Sequence, residues 1–94
     1  MHGYELYRKY RRLIVALADE QKSAELSLSA LRALLQEFQD GAATLEPAAV
    51  DFVCDELADQ LEHEAIRSTG KHRRDILFAA VKAFDSMTFT KAKT

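Results

Sequence analysis

The residues best suited to chemistry cluster between positions 54 and 74. His63 has Asp59 one helical turn before it, and Glu56 lies nearly one turn further back. Imidazole and carboxylate in such a row suit zinc or iron. A helical di-iron site, however, needs Glu-x-x-His on two helices. The segment Asp59-Gln60-Leu61-Glu62-His63 has no second copy, and His2 and His72 stand near segment ends. The row therefore reads as a solvated acidic face, with no metal and no cofactor.

Ala65–His72 reads A-I-R-S-T-G-K-H, which has the outline of a phosphate-binding loop. That loop needs a glycine where Ala65 stands, a hydroxyl where His72 stands, and a preceding strand. A helix C-cap at Gly70 explains the segment more simply. Cys54, the only cysteine, falls on an apolar stripe and lacks a base beside it. Buried cysteines behave as small hydrophobes. The serines stand mostly at segment ends, where capping accounts for them. No nucleophile–base–orienter set is visible, so the chain is expected not to be an enzyme.

Basic residues offer a different chemistry. Arg8, Lys9, Arg11 and Arg12 interleave with Tyr4, Tyr7 and Tyr10, and Lys71, His72, Arg73 and Arg74 form a second basic cluster. Such a mixture can track a phosphate backbone and stack bases. A nucleic-acid regulator using Arg8, Arg11, Arg12, Arg73 and Arg74 is thus one reading. Against it, the net charge is −2, and Tyr7 and Tyr10 fit an apolar stripe.

These residues must be positioned by helices. The 94 residues are 48% hydrophobic and 30% charged, with three glycines and one proline. That composition suits one globular domain with few helix breaks. Four segments follow. The first runs from about Gly3 to Lys22, with Leu6, Tyr7, Tyr10, Leu13, Ile14 and Leu17 on one side. Ser27 is the expected N-cap of the second, with Leu26 and Leu31 as a hydrophobic staple. Leu28, Leu31, Leu34, Leu35 and Phe38 form its stripe, and Gly41 closes it as a positive-φ C′ residue. Thr44 or Glu46 opens the third, with Pro47 in its first turn. Val50, Val53, Cys54, Leu57 and Leu61 are its core face, and Ser68-Thr69-Gly70 ends it. The fourth spans about Lys71 to Met87 and buries Ile76, Leu77, Ala80, Val81, Phe84 and Met87. No stretch alternates with period two, so strands are not expected.

The expected fold is all-α, a single helical domain over 1–87 with a frayed tail over 88–94. Short loops favour an up-down bundle of about four helices, with two helical hairpins completed by dimerisation as the alternative. Helix three is the expected centre. No apolar run approaches a membrane span, and no signal-peptide pattern opens the chain. A soluble, cytoplasmic, reducing setting is therefore expected.

Large apolar residues off the core faces point to a partner. Phe52, Asp59, His63 and Ile66 align as a second face of helix three, among acidic neighbours. Phe78, with Phe89 after it, faces away from the core side of helix four. Either these form an apolar patch rimmed by charge, as at a protein–protein interface, or they belong to a wide core. Helix three is acidic, whereas helix one and the start of helix four are basic, a split that favours a homodimer or a partner of opposite charge. The expected function is a non-enzymatic protein-binding module, a regulator or inhibitor, with Phe52, Asp59, Ile66 and Phe78 as its partner-binding residues. Small accessory inhibitors of phages and mobile elements share this size and composition, which is analogy alone. A structural subunit of a larger assembly is the third reading.

Overall fold

A computed structural model describes residues 3–87. His2, Phe89 and the 88–94 tail lie outside the described residues. Four helices account for nearly all of the rest: α1 (Gly3–Asp19), α2 (Ala24–Ala42), α3 (Pro47–Arg67) and α4 (Lys71–Ser86). The all-α bundle follows from the period of the apolar residues, which gives each helix one buried stripe.

The connections are short, so consecutive helices run antiparallel and form an up-down bundle. α1 packs on all three other helices, and so does α4, while α2 and α3 sit diagonally apart. Helix three is therefore not the centre: α1 and α4 flank it, and its remaining side faces out. α1 and α3 run parallel. Gly3 approaches the Val53 side chain at one end, and Arg11 reaches Glu64 towards the other.

The core is apolar and continuous. Leu6, Ile14, Phe38, Val50, Leu57, Leu61, Leu77 and Phe84 are fully buried. Three rings join α1, α2 and α4 edge to face. Tyr10 meets Phe38 at 5.4 Å between centroids, and Phe38 meets Phe84 at 5.1 Å. Such pairs add about 0.5–1.5 kcal/mol each beyond their burial.

Several local expectations need correction. α2 starts four residues earlier than Ser27, because Ser23 caps it and accepts a hydrogen bond from the Leu26 amide at 3.2 Å. Ser27 is instead fully buried inside the first turns, 3.3 Å from His72 Nε2. The earlier start also undoes the staple, since Leu26 now lies within the helix and is exposed. Leu28 is exposed too, so the stripe rests on Leu31 and Phe38, with Leu34 and Leu35 half-buried. Gly41 is not a positive-φ cap. The helix continues through it to Ala42, and Ala43 ends it with its amide bonded to Gln39 O. Gly70 also has negative φ and serves as the N-cap of α4 rather than closing α3, which ends at Ser68. α1 ends at Asp19 rather than Lys22. The third segment matches its reading, with Glu46 as cap and Pro47 at the first helical position, where a missing amide costs nothing. On α4, Met87 is half-buried at the cap.

Among the described residues, no helix is long and apolar enough to cross a membrane.

Candidate functional site

The off-face apolar residues are exposed, but they do not gather into one patch. Phe52 is 66% exposed, Ile66 67% and Phe78 36%. Ile66 lies fourteen residues beyond Phe52 on α3, about 21 Å along the helix axis. Phe78 stands on α4 one turn before Val81. Val81 and Asp85 line a groove with Asp55, Ala58, Asp59 and Glu62 on the α4 flank of α3. Phe52, two turns before Asp59 on the same outer side of α3, borders the other flank. There it joins α1 in a cleft lined by Gly3, Tyr4, Tyr7, Ala49, Phe52, Val53 and Glu56.

The cleft has a simple local origin. Tyr4 and Tyr7 are one turn apart on α1, and their rings stack at 6.3 Å. Gly3 lets α1 approach α3 closely, since a Cβ there would sit 3.3 Å from Val53 Cγ2. Tyr7 is half-buried and packs on the core, whereas Tyr4 is 67% exposed. Reading Tyr4 beside the arginines on α1 missed its joining Phe52, because the pairing of α1 with α3 is not encoded within either segment. The signal available was the shared i, i+4 phase of Tyr4 with Arg8 and of Phe52 with Glu56.

The basic residues continue from this cleft along α1. Arg8 lies over the Tyr4 ring, with its guanidinium carbon 5.7 Å from the centroid. Arg8 and Arg12 are exposed, and both line a groove that runs from Tyr4 to Asp19 and also includes Arg11, Val15 and Glu64. Arg11 Nη2 pairs with Glu64 Oε2 at 3.6 Å, and its Nε is buried without a partner among the described residues. Lys9 lines the same groove and lies over the core ring of Tyr10.

Arg73 does a different job from the other arginines. Its Nε donates to Asp19 Oδ1 at 2.6 Å, Nη1 donates to Ser68 Oγ and to Glu64 O, and Nη2 faces Glu64 Oε1 at 3.5 Å. The hydrogen bond that Arg73 donates to Asp19, then the Asp19 charge and the hydrogen bond and charge of Glu64, hold the guanidinium pKa above its ordinary value against the cost of burial. Arg74 is exposed beside this knot. Arg73 and Arg74 thus belong to the end of the bundle where α1 stops, while Arg8 is near the start of α1. The five arginines do not form one compact patch.

The candidate catalytic groups remain apart. The Cys54 thiol is buried and its pKa is pushed up to about 12, by desolvation first and then by Asp51 and Asp55. A thiol held protonated in this way is a poor nucleophile. His63 Nδ1 lies 3.8 Å from Asp59 Oδ2, an exposed contact between neighbouring turns. Among the described residues, no group of three or more His, Cys, Asp or Glu side chains is arranged to hold a metal. Lys71 and Asp75 make an exposed pair at 2.6 Å, and the Lys71 hydrogen bond lowers the Asp75 pKa.

Comparison with known proteins finds no matching family model, no matching curated protein and no matching solved structure.

Proposed function

We propose that this chain is a non-enzymatic protein-binding module, a regulator or inhibitor that works through the outer face of α1 and α3. One observation carries the reading. Tyr4 and Phe52, each about two-thirds exposed, line one cleft from adjacent helices, with Glu56 beside them and Arg8 over the Tyr4 ring. Interface cores are rich in aromatics and poor in charge, with polar rims. Tyrosine in particular is over-represented among the residues that dominate binding energy. Ring faces left in water on two neighbouring helices are therefore better matched by a protein surface than by solvent.

This reading keeps Phe52 and Asp59 from the expected partner-binding set and adds Tyr4, Tyr7 and Glu56. Ile66 and Phe78 become peripheral to it. A cytoplasmic setting goes with the proposal, since Cys54 then stays a thiol.

The nucleic-acid reading draws on Arg8, Arg11 and Arg12 beside Tyr4. It is weakened by Glu5, Asp19 and Glu64 in the same groove, and by Arg73, whose donors are already engaged. The test is affinity purification of the tagged protein from its native cell, with and without nuclease, beside a Tyr4→Ser/Phe52→Ser variant. A protein that co-purifies after nuclease treatment and is lost from the variant is the expected result. Co-purification that nuclease abolishes favours the nucleic-acid reading. A binding partner retained by the folded variant shows that another face is used.

A further inference from the structure

We propose that the partner seated on the α1–α3 face is a second copy of this chain, related by a two-fold axis that runs along the groove between the two helices. The inference rests on reading this face as protein-binding and goes on to name its occupant.

The argument is one of charge and register. α1 and α3 run parallel, fixed by Gly3 against Val53 and Arg11 against Glu64. Both helices climb about 1.5 Å per residue, so the first turns counted from a shared point stay within a few ångströms of level. Tyr4 and Phe52 share the cleft at one end. Four residues on, α1 presents Arg8 and α3 presents Glu56. A further turn on, α1 presents Arg12, and the outer side of α3 presents Asp59, which also borders the groove towards α4. All six side chains are exposed. Between Glu5 and Asp19, the middle of the α1 edge is thus basic and faces an acidic edge on α3, with aromatic residues at one end.

A two-fold axis along the groove between these edges lays the α1 edge of each copy over the α3 edge of the other without changing its level. Arg8 then faces Glu56 of the second copy, Arg12 faces its Asp59, and Tyr4 faces its Phe52. Each contact occurs twice, as an isologous interface requires. The other in-plane axis, across the groove, sets the arginine edge against itself and the acidic edge against itself. Like charges in juxtaposition repel, so the pattern selects the first axis. The body measures 37 × 25 × 22 Å, so a standard interface of roughly 800 Å² per partner would take nearly the whole of one long side.

The experiment is sedimentation velocity on the full chain from micromolar to submillimolar concentration, with far-UV circular dichroism to check folding. The wild type is expected to reach twice 10.6 kDa. Arg8→Glu alone sets two acidic pairs face to face, and Glu56→Arg alone sets two basic pairs. Each is expected to weaken association by on the order of 100-fold. An equimolar mixture of the two single variants restores both pairs and is expected to form a heterodimer. Arg12→Glu and Asp59→Arg form an independent pair of variants should either of the first two fail to fold. A wild type that stays at 10.6 kDa throughout overturns the proposal. So does a dimer indifferent to the single charge reversals, or a mixture that stays monomeric. If the monomeric wild type still captures a cellular protein that Tyr4→Ser/Phe52→Ser loses, the dimer alone is overturned and the protein-binding reading stands.

Discussion

Arg73 Nε donates to Asp19 Oδ1 at 2.6 Å, which ties the first turn of α4 to the last residue of α1. The same guanidinium reaches Ser68 Oγ and the Glu64 carbonyl at the end of α3. Three helix ends therefore meet on one side chain. A planar fork of five donors can serve several acceptors at once, which a lysine could not do. Ser68 Oγ also donates to Glu64 O at 2.7 Å, so a carbonyl in the last turn of α3 is satisfied here.

Arg73→Met is accordingly expected to lower stability by about 1.5–3 kcal/mol, the range for hydrogen bonds to charged groups. Arg74→Met, at the next and exposed position, is expected to change it by less than about 0.5 kcal/mol. Urea unfolding of both variants checks the contrast. Equal losses would mean that Arg73 holds nothing together.

The exposed apolar residues give a graded series. Phe52→Ser and Ile66→Ser remove rings or chains that are two-thirds in water. Each is expected to cost no more than about 0.5 kcal/mol. Phe78 is only 36% exposed, so Phe78→Ser forfeits real burial and is expected to cost about 1–2 kcal/mol. Thermal or urea unfolding at low protein concentration reads the order. Phe52→Ser costing as much as Phe78→Ser would place Phe52 in a wider core.

The helices were legible because a 3.6-residue period is local, and Leu57, Leu61, Ile76 and Phe84 all fall on the faces it marks. Pro47 marked the start of α3 because the residue type itself fixes φ. The α2 start was not legible, since Ser23 and Ser27 are one turn apart and both types cap well. Only the contact with His72, on another helix, shows that Ser27 is inside. Gly41 misled for the same reason: glycine permits a positive φ without requiring it. The candidate face was half legible. Phe52 stood out from its acidic neighbours, but its company with Tyr4 depends on which helices pair, and that is a tertiary fact.

Leu57 tests the core directly. It is fully buried in the middle of α3, between α1 and α4. Leu57→Ala removes buried methyl groups and leaves a cavity, an expected loss of about 2–5 kcal/mol. That is a large part of a small domain's total stability. A loss below about 1 kcal/mol in urea unfolding would show that the α3 face is drawn wrongly.

Cys54 predicts how stability depends on alkaline pH. Burial, then Asp51 and Asp55, raise its pKa from the ordinary 9.0 to about 12 in the folded state. The folded chain therefore holds this proton more tightly than the unfolded chain does. The corresponding stability is fully present below pH 9 and is lost as pH rises towards 12. Each unit is worth about 1.36 kcal/mol, so the loss between pH 8 and pH 10.5 is expected to be about 2 kcal/mol. Burial, with Glu37 and Asp40, raises the Tyr10 pKa as well and acts in the same sense at higher pH. Cys54→Ala separates the two, since it removes the thiol and leaves Tyr10 in place. The variant begins less stable because of the lost packing, but its stability should fall less steeply over this range. Urea unfolding of both proteins at the two pH values measures the difference in slope. Parallel curves would mean that the thiol ionises as easily folded as unfolded, and that water reaches it between α1 and α4.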